Sequence, residues 1–137
     1  MKYKLLIITL LLSIMLSGCV GKTDGAKGEN PKNEGTSYMK ISAEEAKKMM
    51  DSQTVTIVDV RSKEEFNEGH IPGAILLPVN TIGDKMPEEL PDKDATLLIY
   101  CRSGNRSRTA ALKLIELGYT AVYDFGGISD WSYDIEK

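Results

Sequence analysis

Cysteine, histidine and arginine are all scarce in this chain of 137 residues, and each scarcity narrows what it can do. There are two cysteines, Cys19 and Cys101, and one histidine, His70. No cluster of His, Cys and Asp has metal-ligand spacing, so no metal centre and no cofactor are expected. A basic excess is missing too: 17 Lys and Arg stand against 20 Asp and Glu, a formal net charge of −3. Such a balance gives no general affinity for nucleic acid or for an anionic lipid surface. Long apolar runs are confined to Leu5–Leu16, too short to span a bilayer comfortably.

What is present is concentrated in one heptapeptide, Cys101-Arg102-Ser103-Gly104-Asn105-Arg106-Ser107. Before it, Thr96-Leu97-Leu98-Ile99-Tyr100 reads as a buried strand. After it, Ser107 to Leu117 reads as a helix closed by Gly118. Ala110, Ala111, Leu114, Ile115 and Leu117 would form its buried face, with Thr109, Lys113 and Glu116 opposite. A thiol thus lies at the carboxyl end of a strand, where the turn into the helix aims backbone N–H groups at one point. Those donors and the helix dipole favour thiolate over thiol. Three of the four arginines, Arg102, Arg106 and Arg108, fall within seven residues. Cations at a helix start oppose its dipole, so a compensating anion is expected there. This polar, arginine-flanked setting predicts that Cys101 is not buried.

The amino terminus reads as a targeting segment. Met1-Lys2-Tyr3-Lys4 is basic, the apolar run follows, and Leu16-Ser17-Gly18-Cys19 resembles the lipobox of bacterial lipoproteins. That resemblance implies removal of residues 1–18 and a diacylglyceryl group on Cys19, which holds the protein at a membrane, outside the cytoplasm. Losing Lys2 and Lys4 makes the net charge two units more negative. With Cys19 lipidated, Cys101 has no partner for an internal disulfide. Residues 19–37 then form the lipidated cysteine and a flexible tether, rich in Gly, Lys, Asn and Glu, with a span of roughly 25 Å.

Residues 38–137 are enough for one small domain. Ser42-Ala43-Glu44-Glu45 and Ser62-Lys63-Glu64-Glu65 are capping boxes opening helices that run to Met50 and Asn67. Strands are expected at Val55–Val58, Ala74–Leu77, before Cys101, and at Ala121–Tyr123. Gly69 to Gly73 must turn. Residues 78–95 form a loop with one helical turn near Glu88, and a last turn follows Gly126-Gly127. Strands alternating with helices predict an α/β fold, a small parallel sheet with helices on both faces. In such sheets reactive groups gather at the carboxyl ends of the strands, where Cys101 lies.

Four segments together resemble a single-domain rhodanese: Asp59-Val60-Arg61-Ser62-Lys63-Glu64-Glu65-Phe66, Gly69-His70-Ile71-Pro72-Gly73-Ala74, the Tyr100–Ser107 loop, and Gly126-Gly127-Ile128 with Trp131. The resemblance covers residues 38–137. It implies a sulfurtransferase in which Cys101 takes the outer sulfur of a small anionic donor such as thiosulfate, becomes a persulfide, and passes it on. Thiols, cyanide or a redox protein are possible acceptors. The N–H groups from Arg102 through Ser103, Gly104, Asn105 and Arg106 to Ser107 would stabilise thiolate and persulfide. The Arg102 and Arg106 side chains would steady the donor's sulfonate. No imidazole base is required, and His70 lies elsewhere.

Two rivals share these residues. A phosphatase or arsenate reductase on the same scaffold uses Cys-x5-Arg, wide enough for a tetrahedral anion, whereas Cys101 to Arg106 is Cys-x4-Arg. A non-enzymatic persulfide-sensing or binding module is the other. For the remaining polar residues structural roles are expected: His70 bonded to nearby backbone, Asp59 and Arg61 pairing or capping, Glu44, Glu45, Glu64 and Glu65 as solvated helix starts. Trp131 with Tyr123 and Phe125 is expected in the core.

Overall fold

The computed structural model describes residues 37–137. Cys19, the signal segment and nearly all of the tether lie outside the described residues. Two capping boxes start the first two helices as their sequences require. In α1 (Ala43–Ser52) Ser42 Oγ accepts from Glu45 N and the Glu45 carboxylate accepts from Ser42 N. In α2 (Lys63–Glu68) Ser62 and Glu65 repeat the arrangement. Each cap is worth about 1 kcal/mol.

Five strands form the sheet: β1 (Met39–Lys40), β2 (Thr56–Asp59), β3 (Ile75–Leu76), β4 (Thr96–Cys101) and β5 (Ala121–Gly127). Their order is β1-β5-β4-β2-β3 and every pairing is parallel. The α/β expectation holds. β4 is central and buried on both sides, which explains its unbroken apolar run. Its alternate residues divide the core in two. Leu97, Ile99 and Cys101 pack with Ala110, Ala111, Leu114 and Ile115 of α3 (Asn105–Glu116). Leu98 and Tyr100 pack on the other face with Ala46 of α1, Phe125 and the half-buried Trp131. Truncating one of these buried leucines to alanine costs about 2–5 kcal/mol.

Several boundaries differ from expectation. β1 has two residues and no periodicity to betray it, and it forms only because β5 offers an unpaired edge. α3 begins at Asn105, two residues early, since Gly104 turns the chain into the helix with φ 99°. The helical turn between Pro78 and Ala95 is a 3-10 turn at Val79–Thr81, not near Glu88, where there is only a hydrogen-bonded turn closed by Leu90 N on Pro87 O. β5 runs four residues beyond Tyr123 and carries a bulge: Ile99 pairs with Asp124, but Tyr100 pairs with Gly126. The extra residue, Phe125, shifts the alternation, so Gly127 comes to lie beside Cys101.

Candidate active site

Cys101 ends β4 at the carboxyl edge of the sheet, and the loop to α3 curls over it. Gly104 N–H donates to Cys101 Sγ at 3.0 Å. Contrary to the sequence expectation, Cys101 is buried, with 1% of its surface exposed. Its side chain alternates onto the α3 face of the sheet, and the loop roofs it, so the polarity of that loop does not make the thiol accessible. Burial alone pushes the thiol up. Hydrogen bonds from Ser107, Gly104 and Ser103 outweigh burial and hold it below the ordinary thiol value.

Gly127 explains why the loop can sit there. A side-chain carbon at this position would come within 2.7 Å of Arg102 C and Ser103 Cα, and closer still to Arg102 O. The hydrogen bond from Ser129 N to Arg102 O holds the same segment from the far side. Glycine is required at 127 for space, not for backbone conformation.

The arginines divide. Arg106, expected to steady the donor, is engaged within the protein. Its guanidinium grips Glu65 with two hydrogen bonds, Nη1 to Oε2 at 2.6 Å and Nη2 to Oε1 at 2.8 Å. Glu65 is therefore not merely a solvated helix start. It supplies the anion that a basic helix start requires, and Arg106 holds its carboxyl down at about 2 despite partial burial. Arg102 is exposed and borders a cleft of about 480 Å³ with Glu65, Trp131 and Tyr133. A larger cleft of about 740 Å³, between the end of α1 and Trp131–Asp134, contains no residue of the cysteine loop. Ser103 and Asn105 are exposed around the loop, and Ser107 is fully buried beneath it.

The scaffold residues behave as expected. Arg61 and Asp59 form a buried pair, Nε to Oδ1 at 2.9 Å and Nη2 to Oδ2 at 2.6 Å, and Nη2 also donates to Gly69 O at 2.7 Å. Burial works against the Arg61 charge, but the Asp59 pair more than restores it. His70 Nδ1 lies 2.9 Å from Phe66 O and its ring stacks on Phe66. The Tyr100 hydroxyl accepts from Ile71 N at 3.1 Å, which ties the Gly69–Gly73 turn to the central strand. Among the described residues no group of His, Cys, Asp and Glu could hold a metal ion.

Residues 42–134 match the family profile described as the Rhodanese-like domain. The chain belongs to the rhodanese-like domain family. Thiosulfate sulfurtransferase PspE of Escherichia coli is 37% identical over 73 residues, covering 53% of this chain and 70% of that protein. A sulfurtransferase of Allochromatium vinosum is 40% identical over 88 residues, covering 64% and 80%. Among solved structures, a rhodanese with anions from E. coli superposes with a TM-score of 0.57 and 33% identity, over 61% of this chain and 99% of that one.

Sequence reasoning missed two residues near the cysteine of this rhodanese-like domain, Lys40 and Asp124. Asp124 is 1% exposed and accepts from Ser107 Oγ at 2.7 Å, from Gly126 N at 2.9 Å and from Lys40 Nζ at 3.1 Å. An acidic residue inside an otherwise apolar strand, between Tyr123 and Phe125, was the available signal. Nothing in the sequence pointed to Lys40, because its position depends on the pairing of β1.

Proposed function

We propose that this domain is a sulfurtransferase that moves a sulfane sulfur from a small anionic donor such as thiosulfate to a thiophilic acceptor through a persulfide on Cys101. The observation that carries this reading is the Gly104 N–H on Cys101 Sγ at 3.0 Å, inside a loop that lowers the thiol. The Cys101 thiolate attacks the donor's outer sulfur. A sulfur–sulfur bond forms to Cys101, the donor's own bond to that sulfur breaks, and sulfite leaves with the electron pair. An acceptor nucleophile then attacks the terminal sulfur and Cys101 leaves as thiolate. The N–H groups of the loop stabilise negative sulfur at both stages, with no general base.

Burial sharpens the preference. A sulfur on the floor of a tight loop is reached by a single terminal atom more easily than by the centre of a tetrahedral anion, which favours sulfur over phosphoryl or arsenate chemistry. The clamp on Arg106 leaves Arg102 as the side chain available to steady a sulfonate. Thiols, cyanide and redox proteins remain candidate acceptors. The resemblance of Leu16-Ser17-Gly18-Cys19 to a lipobox supports anchoring through Cys19 on the extracytoplasmic face. Cys19→Ala should move the protein from the membrane fraction to the soluble one, and unchanged fractionation would discard the anchor.

Treatment with thiosulfate should add about 32 Da to the intact protein, the mass of one sulfur on cysteine. Cys101→Ser should gain nothing and should form no thiocyanate with cyanide. Hydrolysis of an aryl phosphate in place of sulfur transfer would favour the phosphatase reading, and an inert thiol the binding module.

A further inference from the structure

Beneath the cysteine loop lies a chain of polar contacts that the transfer steps do not use. The parallel register sets Lys40 of β1 beside Asp124 of β5. Lys40 Nζ reaches Asp124 Oδ2 at 3.1 Å, although 58% of the lysine side chain is exposed. Its ammonium also lies against the loop: a side-chain carbon on Gly104 would be 3.8 Å from it, and one on Gly126 3.5 Å. The other carboxylate oxygen, Oδ1, takes Gly126 N–H and the Ser107 hydroxyl.

Ser107 Oγ carries one proton, and three oxygens surround it: Asp124 Oδ1 at 2.7 Å, Gly104 O at 3.0 Å and Gly126 O at 3.3 Å. Gly104, whose carbonyl this hydroxyl reaches, is the residue whose N–H donates to Cys101 Sγ at 3.0 Å, and the Ser107 side chain is among the groups that hold the thiol down. A charged acceptor at the shortest distance holds that proton most strongly. Asp124 therefore competes with the cysteine thiolate for this hydroxyl, and Lys40 decides how strongly it competes.

We propose that Asp124 and Lys40 are positioning residues that set how readily Cys101 gives up its proton, acting through the Ser107 hydroxyl. This rests on Cys101 being the reacting thiol, but it does not depend on the donor. The other charged groups around this end of the sheet are Asp59 at the end of β2 with Arg61 just beyond it, Glu65 from α2 with Arg106 from α3, and the exposed Arg102. The first four are tied into two neutral pairs. The Lys40–Asp124 pair is the one that reaches the loop from β1 and β5.

The test is the ultraviolet titration of the Cys101 thiolate, together with its rate of alkylation against pH, on the folded protein with no sulfur donor present. Asp124→Asn frees the hydroxyl and removes a negative charge, so the midpoint should fall by about one unit. Lys40→Met strengthens the hold of Asp124, so the midpoint should rise by a similar amount. In a Ser107→Ala background the Asp124→Asn shift should shrink by half or more, because its route is gone. Midpoints that stay put, or that move the same way in both variants, would overturn the proposal, as would an undiminished Asp124→Asn shift without the hydroxyl. If Asp124→Asn fails to fold, Lys40→Met alone decides: an unmoved midpoint rejects the device. The titration reads acidity alone, so failed sulfur transfer in the unaltered protein would sink the proposed function without touching this result.

Discussion

Cys101 owes its character to small differences among its neighbours. Desolvation and hydrogen bonding pull its acidity in opposite directions, and the loop donors win. The glycines do the rest by being small. Gly127→Ala must push against backbone at Arg102 and Ser103, which a flexible side chain could not relieve. A stability loss of about 1–3 kcal/mol is expected from thermal melts. Sulfur transfer should fall much further than stability, because the donors of the loop lose their aim. Near-normal transfer in that variant would mean the loop does not need its seat on β5. At this scale the sequence was informative about identity and poor about environment. The cysteine loop was legible, but the burial of Cys101 depends on strand alternation and on a roof of backbone.

At the level of elements, Glu65 and Arg106 tie the start of α2 to the start of α3, across 41 positions of sequence. One carboxylate caps its own helix and also neutralises the helix that carries the cysteine loop. Its carboxyl is held at about 2 against an ordinary 4.5, chiefly by Arg106, with burial opposing. A carboxyl depressed in the folded state contributes stability that is complete above about pH 4.5 and is lost as pH falls from there through about 2. The pair is partly exposed, 36% for Arg106 and 26% for Glu65, so its worth is about 1 kcal/mol after solvent screening. Glu65→Gln should lose about that much at neutral pH and flatten the fall in stability across the acid window, read from urea melts at several pH values. Capping boxes are local patterns and were visible in sequence. The second contact of the same carboxylate is a tertiary event and was not.

At the scale of the whole described domain, residues 37–137 are built on a parallel sheet whose carboxyl edge is wired together from four strands. Arg61 links the end of β2 to the Gly69 carbonyl, Tyr100 links β4 to Ile71, and Asp124 links β5 to α3 and β1. The carboxyl-terminal residues close over the same turn, with His70 and Glu136 exchanging backbone hydrogen bonds at 2.8 Å each. Arg61→Ala would leave Asp59 buried without its partner and Gly69 O without its donor. A loss of about 3–5 kcal/mol is expected, measured by chemical denaturation. A loss near zero would show that water replaces the pair.

Local chemistry along the chain was enough to set the starts of the first two helices, the central strands, the parallel α/β class and the cysteine loop. Each depends on patterns a few residues long: capping boxes, apolar runs, a glycine-bearing turn. What the tertiary structure alone decided was the surroundings of the thiol. β1 exists because β5 has a free edge, and only that pairing brings Lys40 to Asp124. The bulge at Phe125 seats Gly127 under the loop, and the clamp from Glu65 holds the Arg106 guanidinium. These contacts join residues tens of positions apart, so they are set by sheet order and register, which no short stretch of sequence encodes.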